Sequence, residues 1–200
     1  DEYHVVKDKS LYRNISIPSP YLDGVFDNIL KKSDGPITAI FETNRGCPYR
    51  CTFCDWGGMI RTGIVKTEQQ QVKDTISYIM SFERVNEIKI ADANFGILPQ
   101  DLEYMEHLVE CQKKRKKKIR LRFGGFAKNG GVTQEKIMRL MAQHCNSCHD
   151  GASLKFSFQS HDPVVLEASY RKNIKNEKLY PMVESLQKDG FGIDAEMIIG

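Results

Sequence analysis

Apolar and polar positions alternate from residue 37 onward in a way that predicts strands separated by helices. Ile37 to Thr43, rich in Ile, Phe and Thr, reads as a first strand. A helix is expected over residues 67–82, where Thr67 and Gln70 form a capping box and Val72, Ile76 and Ile79 share one face. Glu87 to Ala91 reads as a second strand. The next helix opens at Pro99, a good first-turn residue, and turns Leu102, Met105 and Val109 inward. Ile119 to Phe123 is the third strand, and Thr133 caps a helix with Ile137, Leu140 and Met141 on one face. Leu154 to Phe158 is the fourth strand. Asp162-Pro163 opens a further helix, residues 177–188 are helical again, and Ile193 to Ile199 is the fifth strand.

Five strand–helix alternations without a hairpin signal imply a parallel sheet with helices outside it. A parallel β/α barrel or partial barrel carries its active site at the C-terminal ends of the strands. Residues 1–36, with Ile17-Pro18-Ser19-Pro20-Tyr21-Leu22-Asp23-Gly24 and the breaker Ser33-Asp34-Gly35-Pro36, read as a lead-in, and 37–200 as the core domain. The chain has no initiator Met and stops straight after Ile198-Ile199, so both ends read as cuts in a longer protein.

Composition adds little that is special. Of 200 residues, 40% are hydrophobic and 28% charged, which suits one domain with a real core. No apolar run approaches the ~20 residues of a membrane helix, and the first residues hold no signal-peptide core. A cytoplasmic location is the expectation. The net charge of +3 is too small to argue for nucleic acid, and its positive part is concentrated in Lys113-Lys114-Arg115-Lys116-Lys117-Lys118. That run reads as the solvated end of a helix and its loop. The rival reading, a phosphate-binding patch, lacks interleaved aromatics for base stacking.

The cysteines change the picture. Cys47, Cys51 and Cys54 lie in one short loop directly after the first strand, with C-x3-C-x2-C spacing; Cys111, Cys145 and Cys148 are scattered. Thiolates are soft ligands suited to zinc and iron–sulfur centres. A structural zinc site saturates four ligands, so the zinc reading needs completion from elsewhere, by Cys145 or Cys148. Three thiolates on a four-iron cube leave one iron open, and an open iron is reactive.

The segment Glu42-Thr43-Asn44-Arg45-Gly46-Cys47-Pro48-Tyr49-Arg50-Cys51-Thr52-Phe53-Cys54-Asp55-Trp56-Gly57, with an aromatic just before the last cysteine, resembles the signature of the radical S-adenosylmethionine superfamily. The resemblance implies an α/β fold, a partial parallel (β/α)6 TIM-like barrel, here truncated after the fifth strand. It implies a [4Fe–4S] cluster on Cys47, Cys51 and Cys54 whose open iron is chelated by S-adenosylmethionine. One electron then cleaves the sulfonium, and a 5′-deoxyadenosyl radical takes hydrogen from a substrate. A small electron donor such as flavodoxin or ferredoxin is implied too. By the same carry-over Phe53 lies near the adenine. Asp92 and Asn94, after the second strand, stand where relatives contact the methionine amino group, in place of the common G-G-E form. Ser157 and Gln159 stand at the ribose, Gln159 only if its pleat parity is right. Arg171 resembles a basic position that pairs with the cofactor carboxylate, its rival reading being a surface arginine.

The turn-rich stretch 19–24, the Glu42-to-Cys47 lead and the Cys54-Asp55-Trp56-Gly57 exit resemble proteins in which a cobalamin-binding domain precedes the radical domain. That implies cobalamin outside this chain and methyl transfer to an unactivated carbon, or a related rearrangement. Two other classes remain: a radical methylthiotransferase acting on RNA, for which only the lysine run speaks, and a non-catalytic metal- or haem-binding module. Cys145-x2-Cys148-His149 matches the c-type haem attachment string, and reads first as a loop with two incidental thiols. Cys111 reads as a thiol of the second helix.

Overall fold

The computed structural model describes residues 18–54, 63–124, 131–146 and 153–199. In chain order the elements are α1 (Asp27–Lys32), β1 (Ile37–Phe41), β2 (Asn44–Cys47), β3 (Gly63–Lys66), α2 (Gln69–Met80), β4 (Val85–Ile90), α3 (Pro99–Lys113), β5 (Arg120–Phe123), α4 (Gly131–His144), β6 (Ser153–Gln159), α5 (Pro163–Ala168), α6 (Asn176–Lys188) and β7 (Gly192–Met197). Strands β1, β4 and β5 pair side by side, all parallel, and β6 pairs in parallel with β7. The molecule is thus a mixed α/β fold with parallel sheets.

The period-two alternation of β1 and β4 explains how the sheet is covered. Ala39, Phe41, Ile88, Ile90 and Leu121 point to one face and are buried. Against them pack Val72, Ile76 and Ile79 of α2 and Tyr104, Met105 and Leu108 of α3. Helices α2, α3 and α4 are successive neighbours, and α4 meets α6, so one apolar core runs under both sheets. The other face of the three-stranded sheet is polar. The register aligns Thr38, Glu87 and Arg120 in one row and Ile40, Lys89 and Arg122 in the next. Glu87 stands 3.7 Å from Arg120 and 3.5 Å from Arg122. Parallel strands commonly bury both faces in near-continuous apolar runs, so this charged face is the exception.

Among the described residues β1 is an edge strand of its sheet. Its exposed peptide at Ile40 is closed by one side chain: the Tyr21 hydroxyl donates to the Ile40 carbonyl and accepts from the Ile40 N–H, both at 2.9 Å. The lead-in therefore serves the fold, since an uncovered edge is a template for unwanted pairing. Ser19 adds a 2.8 Å hydroxyl pair with Thr75 of α2.

Several sequence expectations are corrected. The chain does contain a hairpin-type pairing: β2 and β3 form an antiparallel ribbon, Asn44 opposite Lys66 and Cys47 opposite Gly63. The first strand stops at Phe41, because Thr43 and Asn44 are drawn aside by Asp92. Helix α2 is capped by Glu68, whose carboxylate accepts from the Gln71 N–H at 2.8 Å, and not by Thr67, whose N–H bonds back to the Thr43 carbonyl. Thr133 lies inside α4, which begins at Gly131. Asp162 caps α5 as expected, accepting from Val164 and Val165.

The cationic run is the solvated end of α3 and its loop, its five lysines exposed, with Arg115 as the exception. Arg115 folds inward and its guanidinium donates to four carbonyls: Met80 at 2.6 Å, Phe82 at 2.8 Å, Glu83 at 3.3 Å and Val85 at 2.6 Å. It caps the C-terminal end of α2, where carbonyls have no helical partner. Lys118 does the same for α4 through the Gln143 carbonyl at 3.0 Å. Buried Gln112 pins the loop by accepting from the Ile119 N–H and donating to the Lys117 carbonyl.

Candidate metal centre

The site grows from the C-terminal ends of β1 and β4. Asp92, 1% exposed, follows β4 and turns back to the end of β1. Its carboxylate accepts the Thr43 N–H at 2.7 Å, the Thr43 hydroxyl, and the Asn44 side-chain amide at 2.6 Å. Burial pushes its pKa up to about 7; the Thr43 hydrogen bonds pull it down and the nearby Asp101 charge adds to the rise. Asp101, fully buried in the first turn of α3, holds the 94–98 loop by accepting from the Gly96 N–H at 2.8 Å and the Leu98 N–H at 3.0 Å. Phe95 is buried beneath that loop, stacked on Phe123 at 5.0 Å.

The Asp92 clamp launches the β2–β3 ribbon, which ends on Cys47. Gly46 has φ +104, and a Cβ there would sit 2.3 Å from the Gly63 carbonyl oxygen, so only glycine lets the ribbon close beside the first cysteine. Cys47 and Cys51 are buried and Cys54 is half-buried. The Cys54 N–H bonds the Cys51 carbonyl at 3.0 Å, and the Thr52 N–H bonds the Ser169 carbonyl at 3.1 Å. Asn94, 3% exposed, donates from its side-chain nitrogen to Cys47 Sγ at 3.0 Å.

The other sequence candidates divide. Phe53 is 44% exposed on the cysteine loop, with the Arg171 guanidinium 5.7 Å from its ring centroid. Arg171 is 4% exposed, which removes the surface-arginine reading. Its guanidinium donates to the Ser157 carbonyl, to the Phe158 carbonyl at 3.0 Å and to Asn173 Oδ1 at 2.8 Å, fastening the segment after α5 beneath the end of β6. The Ser157 hydroxyl donates to Glu196 of β7 at 2.8 Å. Gln159 has φ 66 where the β6–β7 register shifts, so simple pleat parity does not govern it. Asp55, Trp56, Cys148 and His149 lie outside the described residues. Cys145 is fully buried, and its neighbour Asn146 bonds Ile119 ahead of β5. That is the end of the sheet opposite the cysteine loop, so Cys145 does not complete a zinc site with it.

Thr43, Asn44, Asp101 and Ser169 carry the loop and were not singled out from sequence. Each is an ordinary turn or cap residue locally, and only the long-range pairing gives it meaning.

The donor set fits an iron–sulfur cube. Three thiols sit on one loop, two are buried, and a buried amide N–H is aimed at one sulfur. Among the described residues no three His, Cys, Asp or Glu side chains gather as they would around a single ion.

This combination of parallel α/β fold and strand-end cysteine loop resembles the radical S-adenosylmethionine superfamily. No family profile matches the chain. Two curated relatives do. The chain is 35% identical over 200 residues to the cobalamin-dependent radical SAM methyltransferase TokK of Streptomyces tokunonensis, covering 97% of this chain and 28% of that protein. It is 34% identical over 198 residues to the 2-(S-pantetheinyl)-carbapenam-3-carboxylate methyltransferase of Streptantibioticus cattleyicolor, covering 95% and 28%. The chain thus spans little more than a quarter of these relatives' length. Among solved structures, the cobalamin-dependent radical enzyme OxsB shares the fold with TM-score 0.58 at 19% identity, over 98% of this chain and 28% of that one. The radical methyltransferase TsrM of Kitasatospora setae gives 0.60 at 16% identity, over 80% and 30%.

Proposed function

We propose that residues 37–200 form the radical domain of a cobalamin-dependent radical S-adenosylmethionine methyltransferase, with the fold of a partial parallel β/α barrel and residues 1–36 as its lead-in. The observation that carries the reading is the position of Cys47, Cys51 and Cys54: one loop, at the C-terminal end of β1, two thiols buried and the third half-buried. The sequence likeness to two methyltransferases over nearly the whole chain favours methyl transfer over the RNA-directed and haem-binding alternatives. When bound, a [4Fe–4S] cluster and S-adenosylmethionine would supply a 5′-deoxyadenosyl radical, and cobalamin in a neighbouring domain the methyl group.

This chain's own residues then have separable tasks. Cys47, Cys51 and Cys54 ligate the cluster. Asp92 holds the end of β1 against the end of β4 and so fixes where the loop starts. Phe53 offers an exposed ring for the adenine, steadied by Arg171. Ser157 and Gln159 stand on the rim that would meet the ribose. A flavodoxin- or ferredoxin-type donor would deliver the electron, and the substrate is a small molecule. None of the described helices is long and apolar enough to cross a membrane; cytoplasmic action is part of the proposal.

The test is anaerobic reconstitution of the full-length protein with iron and sulfide, followed by spin resonance of the dithionite-reduced sample. A four-iron signal is expected, together with 5′-deoxyadenosine when S-adenosylmethionine is added, and both should vanish when the three cysteines are replaced by Ala. A colourless protein holding one zinc would refute the reading.

A further inference from the structure

Asn94 is buried at 3% exposure, and its two amide atoms are treated very differently. Nδ2 donates to Cys47 Sγ at 3.0 Å, whereas Oδ1 is buried with no partner among the described residues. An amide this deep ordinarily pairs both ends. Turning it over would aim the acceptor Oδ1 at the sulfur, and a metal-bound thiolate accepts hydrogen bonds but cannot donate one. The donor-to-sulfur orientation is the one a ligating Cys47 requires. Neighbours hold it in place. Asp92, two residues before, is locked to Thr43 and Asn44, and Gly96, two residues after, is held by Asp101.

We infer that Asn94 is a positioning residue that sets the reduction potential of a four-iron cluster through its N–H···S bond to Cys47. The inference rests on the proposed function. Reduction takes one electron from an external donor and converts [4Fe–4S]2+ to [4Fe–4S]+; no proton moves and no covalent bond breaks. The added negative charge is spread over the sulfurs, and hydrogen bonds to those sulfurs are among the levers that set such potentials. The Asn94 N–H favours the reduced form. Without it, the ratio of reduced to oxidised cluster at a fixed poise falls by roughly three- to tenfold, the net worth of one ordinary hydrogen bond, and tenfold is about 59 mV for a one-electron couple.

The experiment is a redox titration of the full-length protein, followed by spin resonance, comparing the native chain with Asn94→Leu and Asn94→Asp. Iron and sulfide are counted in each sample. Both variants are expected to titrate at more negative potential, with Asp further displaced than Leu because its carboxylate opposes added negative charge. Equal midpoints in clusters of equal iron content overturn the inference. A second measurement needs no variant: spin-echo spectra of the reduced native cluster with asparagine labelled by 15N at the side-chain amide. A hyperfine coupling to that nitrogen is expected, and its absence overturns the inference even where a variant takes up no iron. A native protein with no four-iron cluster sinks the proposed function itself. A native cluster with unshifted variants sinks only the role of Asn94.

Discussion

Arg115 offers the sharpest test of how this fold is held. It sits among five lysines in residues 113–118, and charge alone gives no reason to treat it differently. Yet it is the one whose head group donates to four backbone carbonyls around the end of α2 and the start of β4. Arg115→Met keeps the length of the stem and removes every donor. Three of the bonds are 2.8 Å or shorter. Hydrogen bonds from a charged donor are worth about 1.5–3 kcal/mol each, so the gross sum exceeds 4 kcal/mol. Two effects reduce it. The carbonyls near the surface regain water, and the buried Nε, which has no acceptor, is no longer desolvated. The net loss is expected at about 2–4 kcal/mol. Chemical denaturation of the variant reads it directly, with Lys117→Met as control because Lys117 is exposed. Arg115→Lys should recover only part of the loss, since an ammonium cannot fork between two pairs of carbonyls. If Arg115→Met and Lys117→Met unfold at the same denaturant concentration, the capping argument is wrong.

Gly46→Ala should cut iron uptake on reconstitution several-fold, because its Cβ would meet the Gly63 carbonyl and displace Cys47; unchanged iron content would refute this. Tyr21→Phe removes both hydrogen bonds to the Ile40 peptide and should cost about 1–3 kcal/mol, with faster amide exchange at Ile40 as the local readout. Asp92 should make stability pH-dependent. Its folded pKa, about 7, lies above the ordinary 3.8, so the native state binds the extra proton between those values. Its contribution is greatest below about pH 4 and is lost as pH rises through 7, by roughly 4 kcal/mol at most. Asp92→Asn should flatten the slope of unfolding free energy across that window, whatever its effect on absolute stability.

The order of strands and helices was legible because each is a short apolar run with local punctuation: Pro99 opens α3, and Asp162-Pro163 opens α5. The cysteine loop was legible from spacing. Long-range partners were not. Nothing in Asn44-Arg45-Gly46-Cys47 announces a strand, since it is short and polar and its mate begins at Gly63. Arg171 was recognised as a basic residue, but its burial depends on carbonyls at Ser157 and Phe158 that no local pattern ties to it. Tyr21 sat in a turn-rich lead-in, and its service to the β1 edge appears only once that edge exists.

The cysteine loop is fastened from three directions: by the ribbon through Gly46, by Asn94 on Cys47, and by Ser169 on Thr52. A loop moored in this way keeps its shape by ties that do not pass through iron. Protein–protein ties thus fix where Cys47 and Thr52 sit, whereas small zinc domains rely on their ion to fold. On the proposed function, the iron-free chain is expected to keep this part of the loop in place, read as unchanged amide-exchange protection at Thr52.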